Sequence, residues 1–256
     1  MPLKAVFFDV GDTLVEGWIG RERTNELVRE VLRREFGDRD WYDRFLDADL
    51  GVHHGDRTDD AALRQETHRW YEEWFRNAQI GIDDIDVDRL RVAATAPLDL
   101  VAKPVPGAFT AVRWCKSKGF KVALVTNTLS RGDAEVWEDW RRFGLADAID
   151  AVASSHSVGW QKPHRAIFER ALELTGVRAA DTVMVGDRTD ADILGAKRLG
   201  MRAVLRRTTN PGAMDDAGVS PDAIIDDLTA LPDVLTAWIG VPDAQRPLPE
   251  DRARRT

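Results

Sequence analysis

Short apolar runs, each closing on a polar or acidic residue, alternate along much of this chain with amphipathic stretches. Lys4 to Asp9 (KAVFFD) is the first such run, with Gly11 just beyond it. Its uninterrupted apolar character predicts a strand buried on both faces, with a carboxylate at its C-terminal end. FKVALVTN, ending on Thr126 and Asn127, and DTVMVGD, ending on Asp187, repeat the pattern. So do MRAVLR and, less strongly, AIDAVAS, which closes on Ser154 and Ser155. Between them lie helical periodicities: GAFTAVRWCKSKG, the stretch from Arg131 to Phe143, HRAIFERALELTG and DADILGAKRLG. Strand and helix alternating at this spacing predict an α/β fold with a doubly wound, mostly parallel sheet. Such sheets bind ligands outside the carboxyl ends of their strands, where these polar residues fall.

Residues 16–100 follow another pattern. RTNELVREVLRREFG and ALRQETHRWYEEWFR carry helical amphipathicity, and no strand signal interrupts them. The expected organisation is a Rossmann-like core from 1–15 and 101–241 with an all-helical insert at 16–100, the chain re-entering at KPVPG (Lys103 to Gly107). The Pro-rich, polar segment 242–256 reads as a solvated tail.

Composition narrows the functional classes. The formal net charge is -8, so no basic excess offsets a nucleic-acid backbone. No segment approaches membrane-spanning length, and the N-terminus lacks a signal-peptide pattern, which predicts a cytoplasmic protein. The lone cysteine, Cys115, lies in a helical run and reads as a small core residue. Nothing in the sequence specifies an oligomeric state.

Four segments carry candidate chemistry. Asp9 begins Asp-Val-Gly-Asp-Thr-Leu, where a strand-end carboxylate before a glycine turn can act as a nucleophile. Thr126 and Asn127 offer a hydroxyl and backbone N–H groups to anionic oxygens. Lys162, in Gln-Lys-Pro, can offset negative charge. The acidic run from Asp187 to Asp192 would add carboxylates beside Asp9, a hard oxygen set suited to Mg²⁺. Carboxylate and phosphate repel each other, and a bridging divalent cation removes that repulsion.

Each residue also has a plainer reading. Asp9 can cap a turn, Thr126 can satisfy backbone, and Lys162 can be solvated. Asp190 reads best as the N-cap of the following helix, and Arg188 as an ion-pair partner. Asp12 reads first as a turn former, with acid or supporting roles behind. His53 and His54, being adjacent, point different ways and make a poor metal pair. Trp70, Trp74 and Phe75 lie at helical spacing that favours packing over a ligand platform.

In order and spacing, these four segments resemble the motifs of the haloacid dehalogenase-like superfamily. PVPGAFTAVRWCKSKGFKVALVTN, SVGWQKPHRAIFERAL and VMVGDRTDADILGAKRLGM match as well. The resemblance covers about Leu3 to Val15 and Lys103 to Leu235, and the insert sits where a helical-cap subgroup carries its cap. It implies a Mg²⁺-dependent hydrolase, chiefly a phosphatase of small phosphorylated metabolites, acting through an aspartyl-phosphate on Asp9. It further implies metal ligands at Asp9, the Gly11 carbonyl, Asp187 and, through water, Asp192. Thr126, Asn127 and Lys162 would bind the phosphoryl group.

One position departs from the pattern. Family phosphatases carry an acid/base aspartate where this chain has Gly11, and Asp12 follows one residue later. General acid catalysis is commonly worth ~10²–10⁴-fold. Two alternatives therefore stand beside the phosphatase: a hydrolytic dehalogenase using Asp9, and a weakly catalytic binding or regulatory relative.

Overall fold

The computed structural model describes residues 3–48, 60–81, 86–208 and 218–239. The His53–His54 pair and segment 242–256 lie outside them. Six parallel strands form the main sheet: β1 (Ala5–Phe8), β4 (Lys121–Thr126), β5 (Ala151–Ser154), β6 (Thr182–Gly186), β7 (Arg202–Arg206) and β8 (Ala223–Ile225). Two further strands, β2 (Val15–Glu16) and β3 (Lys103–Pro104), pair antiparallel as a short ribbon. The five predicted strands are all present. β8 escaped prediction because its three residues, of which only Ile225 is buried, leave too short an apolar run.

The order β5-β4-β1-β6-β7-β8 winds outward from β1 to one side and from β6 to the other. The winding direction reverses between β1 and β6, and a crevice opens outside their carboxyl ends. In register, Phe8 lies level with both Leu124 and Val185. Asp9 therefore emerges between the ends of β4 and β6, and its N–H donates to the Val185 carbonyl at 2.9 Å. Side-chain alternation along β1 sends Val6 and Phe8 into one apolar cluster and Ala5 and Phe7 into the other. Burial on both faces explains why the strands are continuously apolar.

The helical segment comprises α1 (Arg21–Phe36), α2 (Tyr42–Asp47), α3 (Thr67–Asn77), α4 (Val87–Ala93) and α5 (Leu98–Val101). The chain enters it through β2 and leaves through β3. Val28, Phe45, Tyr71 and Leu90 from these helices belong to the same buried cluster as Phe8 and Leu124. Flanking the sheet are α6 (Ala108–Ser117), α7 (Asp133–Arg142), α8 (Ser155–Val158), α9 (Arg165–Thr175), α10 (Leu194–Arg198) and α11 (Leu231–Ile239). Cys115 on α6 is fully buried, and burial pushes its thiol up to about 12, as suits a packing residue.

Two local expectations are corrected. The ALRQETHRWYEEWFR stretch is not one helix: a 3₁₀ turn ends at Leu63 and α3 begins only at Thr67. The intervening residues bond to the other side of the crevice instead. Gln65 N–H donates to Gly159 O (2.9 Å), and its side-chain amide to Thr128 O (2.8 Å) and Leu129 O (3.1 Å). Nor is Asp190 an N-cap. The helix opens with a π-helical turn over Thr189–Ile193, and Asp190 pairs with Arg188 at 2.7 Å. The carboxylate of Asp192 accepts the Arg188 N–H at 3.1 Å.

Candidate active site

Asp9 follows β1, Asp187 follows β6, and the π turn folds Asp192 back beneath them. Their carboxylate oxygens lie within 4.8 Å of one another, and all three residues are buried. Gly186 makes this approach possible: a Cβ there would sit 2.3 Å from Asp192 Cγ. Only a residue without a side chain admits that contact.

Lys162, 2% exposed, reaches into the cluster from the loop before α9. Its Nζ donates to Asp9 Oδ1 (2.5 Å), Asp192 Oδ1 (2.7 Å) and the Val125 carbonyl (2.7 Å). Burial works against its charge, but Asp192 and Asp9 outweigh burial and hold its pKa above the ordinary lysine value. Lys162 also lowers Asp187, but less than its surroundings raise it. Burial, with the charges of Asp9 and Asp192, pushes its carboxyl up to about 8. Burial likewise raises Asp192 to about 6, against the lowering effect of Lys162. Three buried carboxylates facing one ammonium leave an excess of negative charge. A hard divalent cation would relieve it, so the donor set fits Mg²⁺.

The other predicted residues fall around this cluster. Thr126, buried at the end of β4, and Gly11 both line a cavity beside it. Asn127 lines the same cavity, but its side chain is not free to hold a phosphoryl group. Its Oδ1 accepts the Lys162 N–H (2.7 Å) and its Nδ2 donates to Lys162 O (3.2 Å). Any contact from Asn127 to an anion therefore falls to its backbone. Asp12 takes the turn role: its φ is +53°, and its N–H donates to Val15 O at 2.7 Å. The Asp12 carboxylate accepts the Trp18 indole N–H at 3.0 Å.

Sequence reasoning missed three contributors. The Thr13 hydroxyl lies 3.2 Å from Asp187 Oδ1 and 3.4 Å from Asp9 Oδ2, linking two of the carboxylates. Its place inside the Asp9 segment was the available signal. Arg206, buried at the end of β7, donates to Asp12 O (2.7 Å) and Glu16 Oε2 (2.5 Å), securing the loop after Asp9. Gln65 had no signal, because its partners are backbone carbonyls distant in sequence.

The cavity, about 410 Å³, lies between the helical segment and the ends of β1 and β4. Trp74, read from sequence as packing, stacks on Phe45 and also forms part of its wall.

The molecule is thus an α/β protein with a buried carboxylate–lysine cluster at the switch point of its parallel sheet. Residues 3–200 match the family model described as haloacid dehalogenase-like hydrolase, and the chain belongs to that family. Among curated relatives, a glyceraldehyde 3-phosphate phosphatase of Methanothermobacter thermautotrophicus is 26% identical, over 91% of this chain and 100% of the relative. A solved HAD phosphatase from Thermococcus onnurineus superposes with a TM-score of 0.56 at 22% identity, covering 91% of this chain and 98% of the other. A solved 2-haloacid dehalogenase from Pseudomonas syringae pv. tomato DC3000 does so with a TM-score of 0.56 at 26% identity, covering 92% and 99%.

Proposed function

We propose that this protein is a cytoplasmic, magnesium-dependent phosphomonoester hydrolase of small metabolites, in which Asp9 attacks phosphorus. The observation that carries this reading is the buried Asp9–Asp187–Asp192 cluster with Lys162 bonded to two of its members. The phosphatase named among its relatives supports the same class.

In this reading Asp9, Asp187, Asp192 and the Gly11 carbonyl would hold Mg²⁺. The ion, when bound, neutralises charge between carboxylate and phosphate and polarises the phosphorus–oxygen bond. Lys162 orients Asp9 through its 2.5 Å contact and meets charge developing on the equatorial oxygens. Thr126, at the cavity edge, contributes its hydroxyl to the same oxygens. An Asp9 oxygen forms a bond to phosphorus as the ester oxygen departs with its electron pair. Water then attacks phosphorus, releasing inorganic phosphate and regenerating Asp9. Residues 16–100 act as a cap over this site, and the bonds from Gln65 to Thr128 and Leu129 hold it closed.

Screening phosphate release from small phosphomonoesters, with and without Mg²⁺, tests the proposal. Magnesium-dependent release is expected, and its absence across the series would overturn the reading. The 26% identity to a haloacid dehalogenase favours a second reading, halide displacement by Asp9. Such a displacement needs no cation, whereas Asp187, at about 8, sits in a cluster that calls for one. Halide release persisting in chelator would promote that reading.

A further inference from the structure

The cavity borders Val10 and Gly11, just after Asp9, and Thr126, so its walls bear on the group attached to phosphorus. Trp18, Tyr71, Trp74, Leu98, Leu129 and Trp140 provide much of the surface. Most polar side chains of the lining are already engaged, the exceptions being the buried Trp140 indole N–H, which has no partner, and the Thr126 hydroxyl at the phosphoryl end. Thr24 donates to Gly20 O (3.3 Å), Thr95 to Arg91 O (2.7 Å) and Thr128 to Arg131 O (2.5 Å). Ser130 and Tyr71 share a 2.8 Å hydrogen bond, and Asn127 clamps the Lys162 backbone. The indole N–H of Trp18 is taken by Asp12 and that of Trp74 by Phe45 O (2.7 Å). The lining cation, Arg131, is bonded to Asp139 and to Ala96 O. With one unpaired indole N–H on offer, a polyol would strand most of its hydroxyls against engaged groups, and a second phosphate would find its cation already paired.

Nor does the lining offer a proton. Burial raises the Asp139 carboxyl above its usual value, but both its oxygens are occupied, Oδ1 accepting from Leu98 N (3.0 Å) and Oδ2 from Arg131. Tyr71 is pushed up to about 12 by burial and is a poor acid. Gly11 has no side chain, and Trp18 Cζ2 lies 3.5 Å from where its Cβ would be. A departing alkoxide, near the ~15.7 of water, needs a proton, whereas a phenolate at about 10 departs without one.

Resting on the phosphatase reading, we propose that the substrate is an aryl phosphate whose ring occupies the Trp18–Trp74–Trp140 cavity. The Asp9–phosphorus bond forms while the phosphorus–aryl oxygen bond breaks. The aryl oxide leaves with the electron pair and takes a proton from water. The cavity is at the small end of the ~300–1,000 Å³ usual for ligand sites, as suits a compact aromatic group.

Two measurements test this with the whole 256-residue chain and Mg²⁺. The first compares kcat/KM for phenyl and 2-naphthyl phosphate with that for glycerol 3-phosphate. The second removes intrinsic reactivity, comparing competitive inhibition by phenylphosphonate and 2-hydroxyethylphosphonate in the parent and in Trp18→Ala. The expected results are faster aryl hydrolysis and about tenfold tighter inhibition by phenylphosphonate, a preference shrinking toward unity in Trp18→Ala. Equal inhibition by the two phosphonates, or glycerol 3-phosphate matching the aryl esters, overturns the aryl assignment while leaving the phosphatase standing. Failure to release phosphate from any ester removes both.

Discussion

Asn127 holds the backbone of Lys162 by two hydrogen bonds, its carbonyl oxygen accepting the N–H at 2.7 Å and its amide donating to the carbonyl at 3.2 Å. The end of β4 is thereby tied to the residue whose ammonium bridges Asp9 and Asp192. Asn127→Ala should let that ammonium drift. A displacement on the order of 1 Å costs up to ~10²-fold, so kcat should fall about 10- to 100-fold with a smaller change in KM. Asn127→Asp, which keeps the acceptor but loses the donor, should fall between. Steady-state kinetics on the best screened ester decides; an unchanged kcat in Asn127→Ala would deny the positioning role.

Asp9→Asn should reduce phosphate release to background while the protein stays folded, because an amide preserves the shape and one acceptor for Lys162. Circular dichroism melting confirms the fold, and a discontinuous phosphate assay reads the loss. Full activity in a folded variant would exclude the covalent route.

Chelator should stop turnover, and Mg²⁺ should restore it. Because Asp187 and Asp192 crowd Asp9, the ion should also stabilise the native state, by about 2.7 kcal/mol at a hundredfold excess over Kd. Asp187→Ala should blunt this rise in Tm. A melting curve insensitive to Mg²⁺ in the parent protein would count against the metal site.

Gly11→Asp should fold, since the nearest atom to the added Cβ is Trp18 Cζ2 at 3.5 Å and Gly11 is not among the positive-φ glycines. A carboxyl there should speed alkyl phosphate hydrolysis, with ~10²–10⁴-fold as the range for a well-placed acid, and do little for aryl esters. The alkyl/aryl rate ratio is the readout. A folded variant with no alkyl gain would mean that leaving-group protonation does not limit the rate.

Asp150 connects pH to stability away from the site. Burial raises its carboxyl pKa, but hydrogen bonds from Lys116 (2.7 Å), the Val122 N–H (2.9 Å) and Lys121 (3.2 Å) bring it below the usual 3.8. A folded-state value below the unfolded one contributes stability fully above 3.8, lost as pH falls through the folded value. Discounted for solvent screening, Asp150→Asn should therefore cost up to about 1 kcal/mol at neutral pH, the gap closing below about pH 4. Urea titrations of parent and variant across pH measure it, and a gap constant into acid would refute the ionic origin.

The parallel sheet was legible in the sequence because strands buried on both faces leave continuous apolar runs that local periodicity cannot hide. Asp9, Thr126, Lys162 and Asp187 were legible because the chain delivers each at, or just before, the boundary of a regular element. Asp192 and Asn127 were found as residues but not in their full roles. Asp192 needed the π turn and the missing side chain of Gly186 to reach Lys162, and Asn127 spends its amide on a residue 35 positions away.

The order of polar strand ends along the chain thus determined that Asp9, Thr126 and Asp187 would converge, since in a parallel sheet every strand delivers its C-terminal end to the same edge. Only the tertiary structure decided what surrounds them. The break before α3, the engagement of Thr24, Thr95 and Thr128 by nearby carbonyls, and the Arg131–Asp139 pair depend on which groups meet in space. A side chain's hydrogen-bonding capacity is written in its identity, but whether that capacity is already spent depends on neighbours that folding supplies.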